Sequence, residues 1–317
     1  MPAIETRGLT KRFDDVVALD GLDLTVEAGE VFGFLGPNGA GKSTTINLLL
    51  DFIRPSEGTA EVFGTDVQAD PLAVRRRVGV LPEGYGFDDR LVGREYVAWA
   101  ARTKRADDDP DELLARVGLT DAADRPAAAY SKGMQQRLAF AMALAGDPDL
   151  LVLDEPSTGL DPNGMSRLRR LVRERAAAGT TVFLSSHILS EVEAVCDRVG
   201  VLRDGRLVAV DTLDGLREGL PGEATIRLTC AELPTGGLGV EAIDGVTGAS
   251  VEGRTLVVTC RDPTVKAAVV THVAARTEVV DVVSEPVSLE RLFADLTGGE
   301  DGAPRSAVAE RPPEDLP

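Results

Sequence analysis

Lysine is what this chain most lacks. There are five in 317 residues (Lys11, Lys42, Lys104, Lys132 and Lys266), so arginine supplies nearly all of the positive charge. Acidic residues outnumber basic ones by 52 to 34, for a formal charge of −18. Such a surface repels phosphate backbones, which argues against nucleic acid as a general partner. The composition suits a salt-rich cytoplasm, where screening relieves self-repulsion, and it equally suits a GC-rich genome. Cysteine is scarce too: Cys196, Cys230 and Cys260 lie far apart, which makes neither a disulfide framework nor a cysteine metal site and fits a reducing compartment. The two histidines, His187 and His272, form no ligand cluster. No run approaches the roughly 18 apolar residues of a membrane span. Met1-Pro2-Ala3-Ile4-Glu5 has neither a basic nor an apolar leader region. These absences predict a soluble or peripheral chain, long enough for about two domains.

What is present centres on Gly36-Pro37-Asn38-Gly39-Ala40-Gly41-Lys42-Ser43-Thr44, which fits the phosphate-binding pattern G-x-x-x-x-G-K-[ST]. Val31–Leu35 before it reads as a buried strand, and Thr44–Phe52 after it as a packed helix. In that setting, glycines let successive N–H groups turn toward phosphate oxygens, and the helix N-terminus adds donors and partial positive charge. Lys42 is placed to reach the β- and γ-phosphates, and the Ser43 hydroxyl to ligate Mg²⁺.

Strands are predicted at Ile4–Leu9, Leu22–Val26, Thr59–Phe63 and Val78–Leu81, with a turn at Asp14-Asp15 and a helix opened by Pro71. Phe13 reads either as a face for stacking on adenine or as a core residue. From Asp88 the pattern changes to helices at 94–105, 111–117 and 131–145, the last with Ser131 as N-cap. Leu150–Leu153 is a continuous apolar strand of the kind buried on both faces of a sheet. It ends in Asp154-Glu155, a costly place for two carboxylates unless Mg²⁺-nucleotide occupies it. Asp154 would hold Mg²⁺ from behind its direct ligands or through water, and Glu155 would take the proton of an attacking water. A helix follows at 164–178, then strand Thr181–Leu184, which runs into Ser185-Ser186-His187. At the C-terminal edge of a parallel sheet, where open α/β folds bind ligands, His187 becomes a contact for the γ-phosphate and water. A helix at 189–196 and a hairpin around Asp204-Gly205 complete this part. Beyond Leu220-Pro221-Gly222-Glu223 come strand Ala224–Thr229, hairpin Gly248–Thr259, helix Val265–Ala275, strand Glu278–Val283 and helix Ser288–Leu296, enough for a small α+β domain. The tail is rich in Gly, Pro and charge and reads as disordered.

The order Phe13, Gly36–Thr44, Pro82-Glu83, Tyr130-Ser131-Lys132-Gly133-Met134-Gln135-Gln136-Arg137, Leu150–Pro156, Ser157-Thr158-Gly159-Leu160-Asp161 and Ser186-His187 resembles an ABC transporter ATPase subunit over about residues 3–215. Within that family the chain is similar to multidrug and sodium-efflux exporter subunits, and Pro286–Gly298 is similar to the end of their accessory domain. The resemblance implies an α/β P-loop NTPase domain at 1–220 with a helical subdomain at about 88–148, a small C-terminal α+β domain at 221–298, and a disordered tail at 299–317. It implies ATP and Mg²⁺ as cofactors and ATP hydrolysis as the activity. Ser131 and Gly133 would touch the γ-phosphate held by a second subunit, in a head-to-tail dimer of this chain or of this chain with a paralogue. Asp161 would couple the two sites. The helical subdomain and the Glu83 loop would receive an integral membrane permease, placing the chain at the cytoplasmic face of the membrane. Two elements depart from the family pattern. The signature, usually Leu-Ser-Gly-Gly-Gln, reads Tyr130-Ser131-Lys132-Gly133-Met134 here, keeping Ser131 and Gly133, and Glu83 stands where glutamine is usual. Glu83 is still able to ligate Mg²⁺ or a water, while adding negative charge. Two other readings are a soluble relative working on ribosomes or DNA, and a nucleotide sensor without turnover. The single cassette, short insert and acidic surface count against the first, and Glu155 with His187 against the second.

Overall fold

The computed structural model describes residues 1–88, 90–218, 224–233, 238–261, 264–285 and Phe293. The chain opens with β1 (Pro2–Phe13), β2 (Val16–Glu27), β3 (Val31–Leu35), α1 (Lys42–Leu49), β4 (Glu57–Val62), β5 (Thr65–Asp66), α2 (Pro71–Arg77) and β6 (Val78–Leu81). Three helices follow, α3 (Gly93–Lys104), α4 (Pro110–Val117) and α5 (Lys132–Leu144). Next come β7 (Leu150–Asp154), α6 (Pro162–Ala177), β8 (Thr181–Ser186), α7 (Leu189–Glu193), β9 (Arg198–Arg203), β10 (Arg206–Thr212) and α8 (Leu213–Glu218). The last described elements are β11 (Ala224–Cys230), β12 (Val246–Glu252), β13 (Thr255–Cys260), α9 (Val265–Ala274) and β14 (Val279–Glu285). The helix expected at Ser288–Leu296 and the tail from 299 lie outside the described residues, apart from Phe293.

The central sheet has the order β10-β9-β3-β8-β7-β6. Its strands are parallel except β10, which pairs antiparallel with β9. β3 and β7 are buried at every position, as continuous apolar runs demand. Alternate residues serve two cores. Phe32, Phe34, Val152 and Phe183 face a second sheet, ordered β2-β1-β4-β5, together with α1. Val31, Leu35, Leu151, Leu153 and Leu184 face the helices. Phe32 and Phe183 stack with ring centroids 5.9 Å apart, and Phe34 lies 5.2 Å from Phe183. Gly33 has no side chain because α7 crosses it closely: a Cβ there would fall 2.5 Å from Val192 Cγ1.

The helical insert shares this core. Val97, Ala101, Leu113, Leu114, Val117 and Leu138 pack in one cluster with Leu81, Leu151 and Leu153. Its helices start where the sequence signals them. Asp109 caps α4 ahead of Pro110, Ser131 caps α5 by accepting Met134 N–H, and Gly118 closes α4 with a left-handed φ of 69°.

Three expectations need adjustment. The first strands are longer than apolar patterning indicates: β1 runs to Phe13 and β2 begins at Val16, paired across the Asp14-Asp15 turn in an antiparallel sheet of their own. Helix α7 ends at Glu193 rather than continuing to Cys196. Asp197 is drawn onto β3, where its N–H donates to Val31 O and its carboxylate accepts Val31 N–H at 2.8 Å. The final strand begins at Val279 and extends to Glu285. The C-terminal sheet, ordered β12-β13-β11-β14, is antiparallel and covered on one face by α9. All three cysteines are free and buried, and burial pushes the Cys196 thiol upward. Among the described residues no helix is long and apolar enough to cross a membrane.

Candidate functional site

The C-terminal ends of β3, β7 and β8 deliver three loops to one edge of the central sheet. The loop after β3 curls through Gly39 (φ 82°) and Gly41 (φ 110°). A Cβ on Gly41 would fall 2.6 Å from Ala18 O, and one on Gly36 would fall 2.5 Å from Leu202 O. The loop is fixed from outside as well: Gly36 N–H donates to Ser186 O, and Gly205 N–H donates to Ala40 O. Around it lies a cavity of about 330 Å³ lined by Asn38, Gly39, Gly41, Lys42, Ser43, Thr44, Glu83 and Glu155, with Ala18 at its side.

Lys42 is 6 % exposed. Its ammonium donates to Gly36 O at 2.8 Å and Pro37 O at 3.3 Å, and lies 3.2 Å from Glu155 Oε1. Glu155 follows β7 with a left-handed φ of 47°, and its N–H donates to both Ser185 Oγ (3.1 Å) and Ser185 O (3.2 Å). Its Oε2 meets His187 Nδ1 at 2.9 Å. Its Oε1 is buried and, despite the nearby ammonium, makes no hydrogen bond of good geometry. Asp154, 4 % exposed, accepts from Ser185 Oγ. Lysine, glutamate and histidine therefore form one chain of contacts across the sheet edge, with an unsatisfied carboxylate oxygen at its centre.

The sequence-predicted residues fall into three groups. Asn38, Gly39, Gly41, Lys42, Ser43, Thr44, Glu83 and Glu155 line the cavity. Gly36, Pro37, Ala40, Asp154 and His187 support it through the bonds just described. Phe13, Ser131, Gly133 and Asp161 are not among its lining residues. Phe13 is 44 % exposed with Lys11 Nζ 4.8 Å above its ring, so it is not a core residue. Ser131 caps α5, and Asp161 caps α6 by accepting Gly164 N–H at 2.7 Å. Gly133 packs against Gly159 and Leu160.

A second cavity, about 430 Å³, shares Glu83 and Glu155 with the first and adds Tyr85, Lys132, Gln135 and Gln136. Tyr85 OH donates to Gln136 Oε1 at 2.8 Å, and Gln136 Nε2 donates to Pro156 O at 2.9 Å. Burial pushes the Tyr85 phenol upward. This link joins the Glu83 loop, α5 and the Glu155 loop. Sequence reasoning gave Tyr85 and Gln136 no role; the one available signal was a polar Gln136 among the apolar positions of α5.

The residues fit a Mg²⁺-nucleotide. The donors near the loop are hard oxygens: the Ser43 hydroxyl and the Asp154 and Glu83 carboxylates. Among the described residues no group of three or more His, Cys, Asp or Glu side chains could hold a metal unaided. Mg²⁺ is characteristically bound through one or two carboxylates and the substrate's own phosphates. The orphaned Glu155 Oε1 marks where a polar partner belongs.

A buried parallel sheet, a glycine cradle ending in lysine at a helix start, and a carboxylate pair at the end of β7, one strand removed from β3 across β8, define a P-loop nucleoside triphosphatase. Residues 19–158 match the family model described as ABC transporter. The chain is 45 % identical over 231 residues to the daunorubicin/doxorubicin resistance ATP-binding protein DrrA of Streptomyces peucetius, covering 71 % of this chain and 70 % of that one. It is 38 % identical over 308 residues to DrrA3 of Streptomyces coeruleorubidus, with 94 % and 96 % covered. It is 36 % identical over 304 residues to the Nod factor export ATP-binding protein I of Burkholderia lata, with 94 % and 97 % covered. A solved ATP-binding subunit of an ABC transporter superposes with a TM-score of 0.64 at 30 % identity, covering 68 % of this chain and 92 % of that one. The chain belongs to the ABC transporter family, as an ATP-binding and ATP-hydrolysing subunit.

Proposed function

We propose that this chain hydrolyses ATP at the β3–β7–β8 edge and drives an exporter whose permease is a separate polypeptide, from the cytoplasmic face of the membrane. The observation that carries this reading is the Lys42–Glu155–His187 chain, with Lys42 3.2 Å and His187 2.9 Å from opposite oxygens of one buried carboxylate. Residues 1–220 form the ATPase domain, with a helical subdomain at about 88–148, and 221–298 form an accessory domain.

Mg²⁺, when bound, would supply neutralisation of the charge on the nucleotide's phosphates. Ser43 and Asp154 would hold it, with Glu83 close by. The backbone N–H groups of 38–44 cradle the phosphates. Lys42, freed from the Gly36 and Pro37 carbonyls, reaches the γ-phosphate. Glu155 then orients a water and takes its proton, while His187 holds Glu155 through Oε2 and supports the γ-phosphate. Phe13, exposed at the end of β1, stacks on adenine. Ser131, Gly133 and Asp161 serve the opposing site of a second ATPase chain. Two copies, or a copy and a paralogue, therefore close head to tail around two nucleotides.

Relatives named for daunorubicin resistance, bacitracin transport and Nod factor export are similarly close to this chain. Cargo choice therefore lies in the permease, and export rather than import is the direction those names support.

Glu155→Gln tests the site. The variant should bind ATP, accumulate as the closed dimer in gel filtration with Mg²⁺-ATP, and lose turnover by about a hundredfold or more. Wild-type turnover in this variant would remove Glu155 as the base. Affinity purification from detergent-solubilised membranes should recover a polytopic protein in near-equal amount; recovery only from the soluble fraction would overturn the transporter assignment.

A further inference from the structure

Strand β8 is apolar through Val182-Phe183-Leu184 and then ends in two hydroxyls, Ser185 and Ser186, both 0 % exposed. A hydroxyl buried on both faces of a sheet is costly unless its bonds are made. Those of Ser185 are made, and both go to the paired strand. β7 and β8 run parallel with Asp154 opposite Ser185. The Ser185 hydroxyl donates to Asp154 Oδ1 at 2.5 Å and accepts the Glu155 N–H at 3.1 Å, an N–H it shares with the Ser185 carbonyl at 3.2 Å. One oxygen atom therefore ties the last residue of β7 to the first residue beyond it.

The second bond falls where the backbone needs it. Glu155 sits at φ 47°, a left-handed conformation that non-glycine residues keep only when their surroundings hold them. The first bond restrains a carboxylate whose oxygen positions would decide how a metal is met. Outer partners of metal carboxylates fix ligand orientation in this way, and losing them typically costs ten- to a hundredfold in metal affinity or activity.

We propose that Ser185 is a positioning residue for ATP hydrolysis, setting Asp154 and Glu155 as one rigid unit through its single hydroxyl. This rests on the reading of Asp154 as the metal carboxylate and Glu155 as the base. Ser186 serves a different segment. Its hydroxyl accepts Ile188 N–H and donates to the buried Glu191 at 2.8 Å, which shapes the His187 loop. The adjacent serine is thus a matched control.

The test uses the full chain carrying Ser185→Ala, Ser185→Cys (similar volume, poor donor), Ser185→Thr or Ser186→Ala. Two quantities are read: kcat and KM for ATP, and Mn²⁺ affinity by electron paramagnetic resonance with a non-hydrolysable ATP analogue bound. Ser185→Ala and Ser185→Cys should each lower kcat and weaken Mn²⁺ binding by about tenfold or more, with KM for ATP within about twofold of wild type. Ser185→Thr should restore both, and Ser186→Ala should leave Mn²⁺ affinity unchanged. If the alanine variant melts below the assay temperature, the cysteine variant carries the same expectation. Mn²⁺ affinity within twofold of wild type in both Ala and Cys variants would overturn the proposal, whatever happens to kcat. So would equal losses in Cys and Thr. If Glu155→Gln retains turnover, the base assignment fails by itself, while the Mn²⁺ measurement still reads the bond from Ser185 to Asp154.

Discussion

The central strands β3, β7 and β8 are buried on both faces, whereas the strands of the C-terminal sheet bury one, and the chemistry lies with the first. In β11 the residues alternate: Ile226, Leu228 and Cys230 are buried against α9, while Thr225, Arg227 and Thr229 lie on the other face. That outer face is surface-like, with Arg227 paired to Glu252 at 2.8 Å and Thr229 to Thr255 at 3.3 Å. In β3, β7 and β8 no position faces water. Parallel strands buried on both faces send all their C-terminal ends to one edge, so the loops after three strands meet there. Antiparallel strands alternate direction and spread their loops over two edges. The charged residues follow: the buried charged side chains among the described residues, Lys42, Asp154, Glu155 and Glu191, all belong to loops and elements around the central sheet.

The largest effect should come from removing the charge at the edge where the parallel strands end. Lys42→Ala should abolish measurable ATPase activity, a loss of roughly a hundredfold or more, while leaving the thermal unfolding of the C-terminal unit unchanged. Retained turnover would mean that the ammonium does not meet phosphate. The next effect is on packing. Phe183→Ala opens a cavity between Phe32 and Phe34 and should cost about 3–5 kcal/mol, measured by urea unfolding. Val258→Ala, in β13 against α9, should cost about 1–3 kcal/mol and leave ATP binding unaltered. An equal loss of ATP binding in both variants would show that the two sheets unfold as one.

The smallest effect concerns Lys104, at the end of α3. Its side chain is half-buried, with methylenes against Gly146 and the ammonium donating to Val78 O at 2.7 Å, and burial lowers its pKa to about 8, with Asp108 opposing. The folded pKa lies below the ordinary lysine value of 10.5. The unfolded chain therefore binds more protons between about pH 8 and 10.5. Unfolding free energy contributed by this group should rise across that window, and Lys104→Met should flatten the rise in a melting series. An unchanged slope would show that the amine stays hydrated.

Legibility followed sequence distance. The phosphate loop was readable because its glycines, lysine and hydroxyls are consecutive and the left-handed turns at Gly39 and Gly41 are local requirements. The starts at Asp109 and Ser131 were equally local, a short polar side chain set beside the first turn it serves, whereas the caps at Asp70 and Asp161 were not read. Glu155 and His187 were each assigned by their place at a strand end, but their contact spans 32 residues and depends on β7 lying beside β8. Ser185 was visible only as the end of a strand, because a serine in sequence does not say which carboxylate it faces. The strands β1, β2 and β4 were read, β1 and β2 too short because their charged outward positions break the apolar patterning, and that they form a sheet apart from the central one was not legible.

The residue order alone carried the chemical inventory: a phosphate cradle, a carboxylate pair, a histidine after a strand, helices capped at definite residues, and no apolar run long enough to span a membrane. Each of these is a short-range pattern whose physics is complete within a few residues. Only the tertiary structure decided that Lys42, Glu155 and His187 form one contact chain, that Ser185 binds Asp154 and Glu155 together, and that Gln136 joins Tyr85 to Pro156. Those facts depend on strand order and register in a parallel sheet, set by the burial of both faces over the whole domain.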